Sequence, residues 1–253
     1  MGLLQRYREA RSANPQITDA FLSAPDLDSA LAAAAALLDE RDLASLEVAV
    51  LQLAPRYRRI WAGGQVATRF VARVRDDPSR EDLAGFLADV TRFHGVSPAN
   101  EPRARVLPVP VPVRSGVAPH ARAHGRHLLL EIRRSDELRD QVGPLVREIV
   151  RFLFDGIAEE RRDGLRDAVR GTGDAGERTW RLLRDALPVA IAQGVAAERF
   201  DERWSAARPW CDDREIDRYA KALFPLVKRT LASRGRLDRR FVAEAAGLLP
   251  AAP

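Results

Sequence analysis

The stretch HLLLEIRRSDELRDQVGPLVREIVRFLF, His127 to Phe154, constrains the fold more than any other part of the chain. Its opening, His127 to Arg133, is a short apolar run bounded by charge, which predicts a buried strand. From Asp136 to Phe154 apolar residues recur at helical spacing, with Ser135 as the expected N-cap. At 100° per residue Leu138, Val142, Leu145, Ile149 and Phe152 fall on one stripe, and Val146, Val150 and Leu153 widen it. A helix this broadly apolar is expected to be buried on more than one side. Asp140, Arg147, Glu148, Arg151 and Asp155 take the remaining arc, where on a solvated face Arg151 and Asp155 would form an i,i+4 pair.

The residues before this unit read as helices: Ser29 to Arg41, Ser45 to Ala54, Ile60 to Val74 interrupted by Gly63-Gly64, and Arg80 to Phe93. Between them and His127 lies ARVLPVPVPV, within Arg103 to Val113, with Pro108, Pro110 and Pro112 at alternate positions. Amide donors of alternate residues point to one side of a strand, so these prolines strip one edge and leave the other able to pair. An edge strand antiparallel to His127–Arg133 is the expectation, with polyproline II as the alternative. Downstream the pattern is helical over Glu177 to Phe200, Asp212 to Ser233 and Leu237 to Leu248, with Pro188 and Pro225 expected to kink or split the first two.

The chain has 253 residues, long enough for one large domain or two smaller ones, and its 46% hydrophobic and 30% charged content is that of a globular protein. A formal charge of +5 is spread among interleaved acids and bases, which favours laced solvent faces over a nucleic-acid stripe. The N-terminus carries charges where a signal peptide needs its apolar region, and the longest apolar run, Ala30 to Leu38, is too short to span a bilayer. A single cysteine, Cys211, excludes an internal disulfide and a cysteine-based zinc cluster, in keeping with a cytoplasmic location.

Arg147-Glu148-x-x-Arg151 has the spacing of the H-E-x-x-H zinc helix with arginine at both histidine positions. The same pattern recurs at Arg214-Glu215-Ile216-Asp217-Arg218, so its meaning comes from context. The strand HLLLEIR before the helix and LLRDALPVAIAQG after it complete a unit that resembles the zincin-type metallopeptidases, specifically the gluzincin branch. The resemblance covers about residues 127 to 198. It implies Glu148 at the general-base position, Arg147 and Arg151 at the two lost histidines, and Asp185 at the third zinc ligand. A guanidinium has no lone pair for a metal, so the resemblance implies the fold without the catalysis. In place of the ion, Arg147 and Arg151 would pair with Glu148 and Asp185.

Other motifs carry less. His120, His124 and His127 fall close together, but H-x3-H-x2-H suits neither one strand face nor an established zinc spacing, and loop histidines are the expectation. Gly171 to Gly176 satisfies G-x-G-x-x-G without the buried strand that a phosphate cradle requires, and reads as a loop. Asp212 and Asp213 beside Cys211 work against a reactive thiolate. Trp204 and Trp210, near Arg203, Arg208 and Pro209, read as core anchors or as part of a partner site.

The resulting expectation is a mostly α-helical α+β protein with a small antiparallel sheet and a zincin-like pair of central helices. Residues 1–100 form a helical region and 101–253 the zincin-like region, with one continuous domain allowed. It would carry no catalytic residue, cofactor or metal and would bind a protein or peptide partner, away from membranes and nucleic acid. Two alternatives stand beside it: a metal-dependent hydrolase using His120, His124 or His127 with Glu148 or Asp185, and a basic helical nucleic-acid binder.

Overall fold

The computed structural model describes residues 15–62, 65–96, 105–111, 120–124, 127–170 and 174–249. Five helices come first: α1 (Pro15–Ser23), α2 (Leu27–Ala35), α3 (Glu40–Ala62), α4 (Val66–Asp76) and α5 (Arg80–Phe93). Three short strands follow, β1 (Arg105–Pro110), β2 (Ala121–His124) and β3 (His127–Ile132). The rest is helical: α6 (Leu138–Asp155), α7 (Glu159–Arg170), α8 (Asp174–Val189), a π-helical turn (Ala190–Ala196), α9 (Ala197–Phe200), α10 (Arg214–Ala232) and α11 (Arg239–Gly247). The mostly α-helical α+β class expected from the sequence is what the chain adopts.

The sheet is mixed, in the order β1-β3-β2. Only two residues separate β2 from β3, a connection that permits nothing but an antiparallel hairpin, so Ala121 faces Leu130 and His124 faces His127. That leaves the far edge of β3 for β1, which runs parallel to it from Arg105 opposite His127 to Pro110 opposite Ile132. The expected antiparallel pairing of β1 with β3 is therefore corrected. Alternating prolines fix which side of a strand can donate and are indifferent to the direction of its partner. The amide of Val111 donates to the Ile132 carbonyl at 2.9 Å, in phase with Leu107 and Val109, while Pro108 and Pro110 fall on the other side. Pro112 lies outside the described residues.

The sequence also misplaced several helix ends. The α3 helix runs unbroken through Pro55, and α10 through Pro225, as one helix each. Ser135 does not cap α6, which begins at Leu138. The Asp140 carboxylate accepts the Glu137 amide at 2.9 Å, and Asp136 turns inward to accept from the Arg133 amide and from Gln141 Nε2, both at 2.7 Å. Real caps are Asp26, Asp213 and Asp238, each accepting a first-turn amide of α2, α10 and α11. Gly95 ends α5 with φ +70°, a conformation that glycine adopts without a Cβ clash.

Two cores hold the fold. Leu128, Leu130 and Ile132 of β3 pack with Phe70 of α4 and Leu145 of α6. On the other side of α6, Val142, Val146 and Val150 join Phe86, Val90 and Phe93 of α5, Leu183 and Leu187 of α8, Leu223 and Val227 of α10, and Phe241 of α11. Each such side chain contributes about 1.5–3 kcal/mol on burial. Helix α6 is thus buried on both flanks, as its broad stripe implied, and α4 and α5 belong to the same two cores as the later elements.

Candidate functional site

The polar arc of α6 is largely withdrawn from bulk water: Glu148 is buried, Asp140, Arg147 and Arg151 are half-buried, and its last residue, Asp155, is exposed. It forms one wall of a cleft of about 550 Å³ that includes His120, Asp140, Pro144, Arg147, Glu148 and Arg151. The π-helical turn contributes Gln193, and the loop into α10 contributes Trp210, Cys211, Asp212 and Asp213.

Sequence explains how these walls come together. Pro188 lacks the amide that would bond the Arg184 carbonyl, and the helix relaxes into the π turn Ala190–Ala196 just beyond it. The π turn lies close against α6: a Cβ on Gly143 would meet Gln193 Nε2 at 2.8 Å, and one on Gly194 would meet the Phe224 ring at 2.7 Å. The Gln193 carbonyl accepts from Trp204 Nε1 at 2.7 Å, and Trp204, Trp210 and Phe224 form a tilted and edge-to-face cluster with centroids 5.6–6.4 Å apart. The Trp210 amide is held by Asp217 Oδ1 at 2.6 Å, which fixes the loop bearing Cys211.

Within the cleft the acids are mostly occupied. Glu148, 7% exposed, accepts from Arg151 Nη1 at 2.7 Å. The i,i+4 pair of Arg151 with Asp155 is absent, because Asp155 pairs instead with Arg184 of α8 at 2.9 Å. Asp213 is spent on the α10 N-terminus, accepting the Glu215 and Ile216 amides. Asp140 binds the Glu137 amide and lies 3.7 Å from Arg203. Two donors of residues that line the cleft have no acceptor: Arg147 Nε and Trp210 Nε1 are both buried and unbonded among the described residues. Trp210 is only 9% exposed. Burial, and then the like charge of Arg151, hold the Arg147 guanidinium below its usual pKa, while Cys211, Glu148 and Asp185 act in the opposite sense. Burial pushes the Cys211 thiol up, against the pull of Arg147 and with Asp217 and Asp213 adding to the rise, so this cysteine is no poised nucleophile.

The other residues singled out in the sequence divide. The helix bearing Asp185 packs on α6, yet Asp185 lines neither this wall nor an ion pair within 4 Å among the described residues; its field reaches Arg147 without a contact. His120 joins the cleft, but His124 and His127 form a cross-strand pair about 13 Å further along the ladder at 3.3 Å per residue. His127 is buried with Nε2 3.0 Å from Ser23 Oγ and 3.4 Å from Asp19 Oδ1. Both neighbours share one nitrogen and Nδ1 has no partner, so this is not the relay of a hydrolytic triad. Among the described residues no group of three histidine, cysteine or carboxylate side chains could hold a metal. Gly171 to Gly173 lie outside the described residues, and the element before them is the helix α7.

The cleft's far wall was missed by sequence reading. Trp210 was singled out as an aromatic, but only the π turn and Gly194 bring it opposite α6, and a π turn leaves no periodic mark in a sequence. Among the described residues no helix is long and apolar enough to cross a membrane. Comparison with family models, with curated proteins and with solved structures finds no match to this chain.

Proposed function

We propose that this chain is a binding protein built on a zincin-like helix pair whose metal position is taken by arginines, and that its cleft receives a peptide segment of a protein partner. One observation carries the reading: Arg147 Nε and Trp210 Nε1, two buried donors on residues of different elements that line one cleft, are unbonded among the described residues. A buried unsatisfied donor costs about 1–3 kcal/mol, so two of them on residues that line one cleft favour an acceptor that arrives with a ligand and reaches them as the side chains adjust. A peptide carbonyl or carboxylate oxygen supplies it. Asp212, exposed at the rim, and the partly solvated Asp140 suit a basic side chain on the same segment.

Hydrolysis is disfavoured because Glu148 is tied to Arg151 and neither arginine can ligate a metal. Screening the full chain against an array of short random-sequence peptides tests the reading. Peptides should be captured in the presence of chelator, and the same peptides should lose binding to Arg147→Met. Stoichiometric zinc retained with cleavage of the peptides, or capture indifferent to Arg147, would overturn it.

A further inference from the structure

A second cleft, of about 580 Å³, lies where the end of α6 meets α7 and α8, and five arginines line it: Arg162, Arg166, Arg178, Arg181 and Arg184. Asp155 and Glu177 are the acids of that lining, with Trp180 and Phe154 as its aromatic residues. The cations are not equivalent. Arg166 makes a two-pronged pair with Glu177, at 3.0 and 2.6 Å, Arg184 pairs with Asp155 at 2.9 Å, and Arg178 pairs with Glu215 of α10. Among the described residues Arg162 meets no carboxylate: its Nη2 donates to the backbone carbonyls of Asp155 and Ile157 at 2.6 and 2.9 Å, and its Nε is buried without a partner. Arg181 has no hydrogen bond or ion pair among the described residues. Two uncompensated guanidiniums thus share one concave space with a tryptophan whose ring lies 5.5 Å from that of Phe154.

We propose that this second cleft is a nucleotide site, with phosphate oxygens held by Arg162 and Arg181 and the planar base against Trp180. A phosphate ester carries about −1.5 to −2 charge near neutral pH, which matches two guanidinium charges that no carboxylate among the described residues neutralises, where a single carboxylate would not. The volume falls within the roughly 300–1,000 Å³ of small-molecule sites. A tryptophan face gives any base a stacking surface, and the paired arginines around it hold the rim in place. The assignment is independent of the peptide cleft, which lies on the other elements packed against α6.

Calorimetric titration of the full chain with ADP, pyrophosphate and adenosine tests it. ADP should bind saturably at one per chain, pyrophosphate more weakly, and adenosine at least about a hundredfold more weakly than ADP, because most of the affinity resides in charge-assisted bonds. Arg181→Gln, at an exposed side chain with no hydrogen bond or ion pair among the described residues, should leave the thermal melt unchanged and weaken ADP and pyrophosphate about tenfold or more. Trp180→Phe should weaken ADP and leave pyrophosphate as it was, and Arg147→Met should change neither. Absence of saturable ADP binding, ADP affinity untouched by Arg181→Gln, or adenosine binding as tightly as ADP would overturn the proposal. Equal binding of ADP and pyrophosphate, unaltered by Trp180→Phe, would overturn the nucleotide assignment.

Discussion

Replacing Arg147 by methionine should make the free protein more stable while removing its ability to hold a peptide. The guanidinium has no ion pair among the described residues, its Nε is buried and unbonded, and the charge of Arg151 opposes it. An unsatisfied buried donor costs about 1–3 kcal/mol and the like charge four residues away adds a few tenths. Methionine keeps the unbranched stem that packs against the cleft wall and deletes the charge. Because the side chain is only partly buried, the low end applies, and the variant should gain about 1 kcal/mol. For a chain of this size that is a rise of about 2–4 °C in melting temperature. Thermal melts followed by circular dichroism at neutral pH and moderate salt read the gain, and the peptide array reads the loss. A variant less stable than the parent by about 1 kcal/mol or more would refute the reasoning, since it would mean that Arg147 supports the fold.

Three more outcomes follow from the same structure. Burial holds His94 down at about 4, with Arg161 adding to the effect and the Val90 carbonyl, 2.8 Å from Nδ1, opposing it. The folded value lies below the ordinary 6.5, so stability is full above pH 6.5 and falls as the pH drops toward 4. The loss reaches about 2.5 kcal/mol by pH 4.5, and parallel urea-denaturation profiles for parent and His94→Phe across pH 4.5–8 would contradict it. Alkylation of Cys211 should be slow near neutral pH and slower still in Arg147→Met, because that arginine is the largest influence opposing the rise of the thiol, ahead of the hydrogen bond to the Asp213 carbonyl; an unchanged rate would show that the two groups do not sense each other. Changing both Arg147 and Arg151 to histidine strands the carboxylate of Glu148 and should lower the melt by about 1–2 kcal/mol, discounted because Arg151 is partly exposed. Added zinc should recover part of that loss by mass action, and a melt indifferent to zinc would count against a vestigial metal position.

What could be read from the sequence was the local part of the fold. Helix α5 lies where its periodicity put it, and β3 and α6 follow from an apolar run and a wide stripe. Prolines were a mixed guide. Pro225 sits within one continuous helix rather than splitting it, as Pro55 does in α3, while Pro188, expected to kink or split its helix, is followed directly by the π turn. The direction of β1 is a non-local choice, made by the β2–β3 hairpin taking one edge first. At the site, Glu148 with Arg151 was legible as a motif, but the partner of each charge was not. Arg151 has candidates at both i−3 and i+4, and the structure gives Asp155 to Arg184 from α8, a residue that no spacing rule connects to it. Asp185 failed to reach an arginine for the same reason: packing of α8 on α6 fixes the rotation of the helix, and periodicity alone does not.

The central claim, that the α6 cleft binds a peptide through Arg147 and Trp210 without metal, is tested most directly by calorimetric titration of an array-selected peptide into chelator-treated protein. The account predicts saturable binding at one peptide per chain, unchanged by chelator and abolished in Arg147→Met. Binding that disappears with chelator and returns with zinc, accompanied by cleavage of the peptide, would contradict it.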